Sequence, residues 1–153
     1  MKKKIIQNIG EMKDFANFYI KNLKKEQNKA EIIILIGDLG SGKTTFIQQI
    51  ANIFEIKEYI TSPTFVIQKK YKINNLPAGR QVPSLGFENL IHIDAYRLES
   101  GKELLDLNWE ENINNSQNII FIEWPERVSD ILPKDVNKIS FKFIDENSRE
   151  IIF

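Results

Sequence analysis

The feature that most restricts how this chain can fold is the run Ile32-Ile33-Ile34-Leu35-Ile36, followed at once by Gly37-Asp38-Leu39-Gly40-Ser41-Gly42-Lys43-Thr44. A continuous β-branched run without polar alternation is the pattern of a strand buried on both faces, as in parallel sheets covered by helices. Beyond the glycines, Phe46, Ile47, Ile50, Ala51 and Phe54 recur at helical spacing, which predicts a helix beginning near Lys43. Strand, glycine turn and helix in this order predict an α/β sheet with a parallel core and flanking helices.

Met12, Phe15, Ala16, Tyr19, Ile20 and Leu23 predict a further amphipathic helix from Glu11 to about Lys25. Short strands are expected at Phe65 to Ile67, Ile91 to Asp94 and Ile119 to Ile122, with a helical pattern from Lys102 to Asn108. Ile139, Phe141 and Phe143 alternate with polar residues, and Asp145-Glu146-Asn147 leads into Arg149 to Phe153. This predicts an antiparallel hairpin at the sheet edge with one wet face. Asn74 to Gly86, with Pro77, Gly79, Pro83 and Gly86, has neither periodicity and is expected to be an exposed, mobile loop.

At 153 residues the chain fits one domain. Twenty-one basic and 21 acidic residues give a formal net charge of zero, so no bulk attraction to nucleic acid is expected. The absence of cysteine excludes disulfides and thiolate chemistry. With no apolar run near the roughly 20 residues of a membrane span, a cytoplasmic protein with no membrane contact is expected.

Two glycines with four residues between them, then Lys-Thr, between a strand and a helix, make a phosphate cradle. The glycines let successive backbone amides turn inward as an anion-binding nest, and the helix N-terminus adds its positive end. Lys43 reaches the outer phosphates of a nucleotide as a mobile point charge, and Thr44 offers a hydroxyl to magnesium. Residues 38 to 44 therefore form the candidate nucleotide site, with Asp38, Leu39, Gly40, Ser41 and Gly42 acting mainly through their backbone.

A magnesium nucleotide site also needs a carboxylate at the C-terminal end of a neighbouring strand. Asp94 ends Ile91-His92-Ile93-Asp94 and Glu123 ends Ile119-Ile120-Phe121-Ile122, so one could serve the metal and the other the attacking water. The alternative for either is to start a turn or to pair with Arg97 or Arg127. His92, the single histidine, is expected to be a packed or partly exposed strand residue turned away from Asp94. In Thr61-Ser62-Pro63-Thr64-Phe65, Thr64 is the candidate sensor of the γ-phosphate and its metal; the alternative is a proline turn entering a strand.

Four pieces together resemble the TsaE (YjeE) family of P-loop ATPases of bacterial threonylcarbamoyladenosine synthesis. They are Gly37 to Thr45, Ser62-Pro63-Thr64-Phe65, His92-Ile93-Asp94-Ala95-Tyr96-Arg97-Leu98 and Ile122-Glu123-Trp124-Pro125-Glu126-Arg127. The first is generic to P-loop proteins; the other three are specific, and the resemblance covers nearly the whole chain. It implies that Lys43, Thr44 and Thr45 serve ATP, that Thr44, Asp94 and Glu123 hold Mg2+ with Asp94 the magnesium-side acid, and that Glu123 is also the catalytic acid. It further implies that Thr64 is the switch residue and that Trp124 lies near the nucleotide. The family also implies slow ATP hydrolysis within an assembly with TsaB and TsaD. Those partners attach the threonylcarbamoyl group to a tRNA adenosine, and tRNA is met only through the complex. Leu76 to Asn89 is longer than the family's short hairpin and is expected to be an insertion.

Three other readings share the cradle. A small-molecule kinase presents the γ-phosphate to a hydroxyl instead of water. A guanine-nucleotide switch is disfavoured, because Asn137-Lys138-Ile139-Ser140 lacks the acid that a guanine reader places last. A scaffold that binds nucleotide without turnover is the third.

Overall fold

The computed structural model describes residues 1–73 and 85–153. Among the described residues seven strands form one sheet: β1 (Lys3–Ile6), β2 (Glu31–Ile36), β3 (Gln68–Lys72), β4 (Asn89–Asp94), β5 (Asn118–Glu123), β6 (Asn137–Phe143) and β7 (Arg149–Ile152), in the order β1-β7-β6-β2-β5-β4-β3. β2 is parallel to β5 and to β6, and β4 is parallel to β5, which makes the expected parallel core. The edges are antiparallel, β3 against β4 on one side and β7 and β1 beyond β6 on the other.

The period of two along β2 divides the core. Ile33 and Leu35 pack on one face with α1 (Ile9–Asn22) and α2 (Lys43–Ile53), while Ile32 and Ile34 pack on the other with Leu104, Trp109 and Val128. Those last three come from α3 (Lys102–Leu105), α4 (Trp109–Ile113) and the 3-10 turn Pro125–Val128. Phe46 joins the first layer: its ring lies 5.4 Å from Phe15, 5.8 Å from Tyr19, 6.2 Å from Phe121 and 5.8 Å from Phe141.

Several expected boundaries move for identifiable reasons. The first helix starts at Ile9, before Glu11, because Asn8 Oδ1 accepts from Glu11 N at 2.9 Å while Glu11 Oε2 accepts from Gln7 N at 2.8 Å. This reciprocal cap fixes its first turn, and the helix ends at Asn22, short of Lys25. Phe65 to Ile67 is not a strand. Val66 N and Ile67 N both donate to Pro63 O, and Ile67 has φ 66°, so extended pairing begins only at Gln68. The helical pattern from Lys102 stops at Leu105, and Asn108 at φ 59° redirects the chain into α4. Of the expected mobile loop 74–86 and insertion 76–89, residues up to 84 lie outside the described residues. At the end of the insertion, Phe87 is buried and Asn89 already belongs to β4. Among the described residues no helix is long and apolar enough to cross a membrane.

Candidate functional site

The loop between β2 and α2 is shaped by glycines in backbone conformations that other residues rarely adopt. Gly37, Gly40 and Gly42 have φ of 147°, 74° and 104°. A Cβ on Gly37 would also overlap the carbonyl oxygen of Phe141 and come within 2.8 Å of Ser41 Oγ. The loop is thus pressed against β6. Gly42 caps α2 without any side-chain hydrogen bond, which leaves the first-turn amides to an outside acceptor. Ser41 Oγ is buried and has no partner among the described residues.

Lys43 is folded back into this loop. Its Nζ donates to Gly37 O at 2.7 Å and Asp38 O at 2.9 Å, stands 3.9 Å from Glu123 Oε2, and lies 4.6 Å from the centre of the Trp124 ring. Burial lowers its pKa from the ordinary lysine value, and the carboxylates of Glu123, Asp94, Asp38 and Glu126 work in the opposite direction.

Parallel pairing places the two acids side by side, because Asp94 is in register with Glu123 at the ends of β4 and β5. Glu123 Oε1 accepts from Thr44 Oγ1 at 2.8 Å and lies 2.9 Å from His92 Nε2. Asp94 Oδ2 accepts from Ser62 Oγ and, at 2.5 Å, from Thr64 Oγ1, while its Oδ1 accepts from Tyr96 N at 3.0 Å. The loop carrying Ser62 and Thr64 is therefore tied to the strand that carries one acid, and the first turn of α2 is tied to the other. Trp124 follows Glu123 at φ 59° and packs on Tyr96 with ring centres 5.0 Å apart.

These groups border a cleft of about 580 Å³. Leu39, Gly40, Gly42, Lys43, Thr44 and Thr45 form its floor, and Thr64, Asp94, Glu123 and Trp124 one wall. Asp38 and Ser41 do not line it; Asp38 contributes its carbonyl to Lys43, and Ser41 is buried in the loop. Arg97 and Arg127 form no ion pair with an acid among the described residues, and the Arg97 guanidinium lies 4.3 Å from the centre of the Phe65 ring.

Sequence reasoning missed three sets of residues. His92 is not turned away from Asp94: residues two apart on a strand share a face, and His92 is fully buried against Glu123. That parity was the signal available. Ser62 was signalled only as one of several hydroxyls around Pro63. The far wall, with Gln7, Asn8, Met12, Asn147 and Arg149, carries no local signal, since it exists only because β1 pairs with β7.

The oxygen-rich end of the cleft fits magnesium. It offers two carboxylates and the hydroxyls of Thr44, Ser62 and Thr64, and no group of three or more His, Cys, Asp or Glu among the described residues could cage an ion alone. Mg2+ characteristically takes one or two carboxylates, keeps waters and accepts substrate phosphate oxygens.

Known proteins resemble this chain over most of its length. The family model "Threonylcarbamoyl adenosine biosynthesis protein TsaE" matches residues 6–151. A tRNA threonylcarbamoyladenosine biosynthesis protein TsaE from Rickettsia typhi is 36% identical over 140 residues, covering 91% of this chain and 85% of that one. The Bacillus subtilis protein of the same name is 34% identical over 123 residues, covering 80% and 68%. The crystal structure of Bacillus subtilis YdiB superposes with a TM-score of 0.71 at 27% identity, over 98% of this chain and 82% of that one. With its sheet, its phosphate-type loop and relatives of this similarity across most of its length, the chain belongs to the TsaE family of tRNA threonylcarbamoyladenosine biosynthesis.

Proposed function

We propose that this protein binds ATP with magnesium over residues 38 to 45 and hydrolyses it slowly, within an assembly of TsaB, TsaD and this chain that modifies tRNA adenosine next to the anticodon. The observation that carries the reading is the hydrogen bond between Thr44 and Glu123, beside Lys43. It brings the hydroxyl, the ammonium and the acid that phosphoryl transfer requires to one end of one cleft. One sheet running from Lys3 to Ile152 supports treating the whole chain as a single ATPase domain.

In this reading each residue has a distinct part. The amides at the start of α2 cradle the phosphates, and Lys43 exchanges the carbonyls of Gly37 and Asp38 for phosphate oxygens. Because Thr44 Oγ1 donates its hydrogen to Glu123, its lone pairs remain available to a cation, and Asp94 supplies the second acid. When bound, magnesium neutralises charge building on the transferring phosphoryl oxygens. Glu123 orients the attacking water and accepts its proton. Thr64, here bonded to Asp94, would be the residue that senses the γ-phosphate and its metal, which would make the 62–66 loop a reporter of nucleotide state. Trp124 flanks Lys43 at the nucleotide.

The test is phosphate release from ATP, with magnesium or with a chelator, alone and with purified TsaB and TsaD. Magnesium-dependent release without an acceptor, stimulated by the partners, is expected. Stoichiometric transfer to a metabolite would establish the small-molecule kinase instead, and binding without turnover under every condition would establish a scaffold.

A further inference from the structure

His92 is fully buried on β4, and its immediate neighbours Ile91 and Ile93 are apolar core residues of the opposite face. Its ring Nε2 lies 2.9 Å from Glu123 Oε1. Its Nδ1 is buried and has no partner among the described residues. Of the two places for a single ring hydrogen, only Nε2 is consistent with this arrangement. A hydrogen on Nδ1 would be an unpaired buried donor, and the bare Nε2 would face a carboxylate oxygen lone pair to lone pair. A buried polar atom without a partner costs stability, so packing alone gives no reason for an imidazole here instead of an apolar ring.

We propose that His92 is the positioning residue for Glu123: its Nε2–H, together with the Thr44 hydroxyl, saturates Oε1 and holds the carboxylate so that Oε2 is the oxygen left to act. Oε2 accepts no hydrogen bond among the described residues and lies 3.9 Å from Lys43 Nζ. Thr44 sits on the first turn of α2 and would be a ligand of a bound ion, whereas His92 is embedded in the sheet. The histidine therefore keeps the acid's orientation when the hydroxyl's surroundings change. This arrangement parallels the outer partners of metal-binding carboxylates, which aim a reacting group without touching the substrate. The proposal rests on the reading of Glu123 as the acid that orients water.

The chain has one histidine, so selective 15N labelling of histidine yields one pair of ring nitrogen signals. Long-range proton–nitrogen correlation in the nucleotide-free protein is expected to show the hydrogen on Nε2. A hydrogen only on Nδ1 would overturn the proposal without any variant being made. In the assembled complex, His92→Phe is expected to lower kcat about 10- to 100-fold. ATP affinity, read from Trp124 fluorescence with and without magnesium, is expected to stay near wild type. His92→Gln, whose amide can again donate, is expected to recover much of the loss. Undiminished kcat in His92→Phe, equal losses in both variants, or a parallel collapse of ATP affinity would each overturn the positioning role. Glu123→Gln separates the two ideas: if it hydrolyses normally, the functional reading itself fails. If it is inactive while His92→Phe is active, only the role of His92 fails.

Discussion

Thr44 Oγ1 and Glu123 Oε1, 79 positions apart in the chain, are 2.8 Å apart in the folded protein. The first turn of α2 and the end of β5 are thereby joined at the point where Lys43 is held. Glu123→Gln keeps the shape and a hydrogen-bonding group but removes the base. It is expected to retain ATP binding and lose hydrolysis by about 100-fold or more. Lys43→Ala is expected to weaken both. Fluorescence titration in a Trp109→Phe background, which leaves Trp124 as the only indole, and phosphate release measure the two effects. Unchanged turnover in both variants would refute the assignment.

Gly37 is the least replaceable position of the loop. Gly37→Ala meets both a φ of 147° and the carbonyl of Phe141, which is backbone and cannot rotate aside. A loss of about 1–3 kcal/mol from the backbone conformation alone is expected, with further loss from the displaced β6. Thermal unfolding of the purified variant measures it, and a melting temperature equal to wild type would show that the loop relaxes freely.

Phe46 packs on aromatic rings from α1, β5 and β6, so Phe46→Ala leaves a cavity where three elements meet. The expected cost is about 3–5 kcal/mol. Denaturant unfolding with an unchanged m-value would attribute it to the core. A cost below that of an ordinary surface change would contradict the packing described.

Glu31 is buried at the start of β2, where desolvation raises its pKa, opposed by hydrogen bonds from Glu26 N and the Asn137 side chain. A raised folded-state pKa means the native protein holds that proton more tightly than the unfolded chain. Stability contributed by this group is therefore present below the unfolded value and lost as pH rises through the folded one. Melting of wild type relative to Glu31→Gln should decline upward from about pH 4.5 and then level off. A difference that grows with pH would reverse the sign of the argument.

The parallel core was legible because strands buried on both faces must be written in apolar residues, as in Ile32 to Ile36 and Ile119 to Ile122. The edge strands were not. β1 reads Lys-Lys-Ile-Ile and β3 reads Gln-Lys-Lys-Tyr-Lys, because an edge facing water keeps lysines that discourage further pairing and so loses the apolar signature. Phe65 to Ile67 misled in the opposite sense, since a proline turn leaves Phe65 and Val66 at the surface and only Ile67 packs partly against the core.

By itself the sequence determined the phosphate-type loop, the two acids and the order of strand and helix around them, since each depends on residue type and on spacing along one short segment. Tertiary structure alone decided which groups meet: His92 with Glu123, Ser62 with Asp94, and Gln7, Asn8 and Met12 with Asn147 and Arg149 on the far wall of the cleft. Those meetings depend on strand register and on which strands become neighbours. Both are set by burial of the whole sheet, and no local stretch of sequence records them.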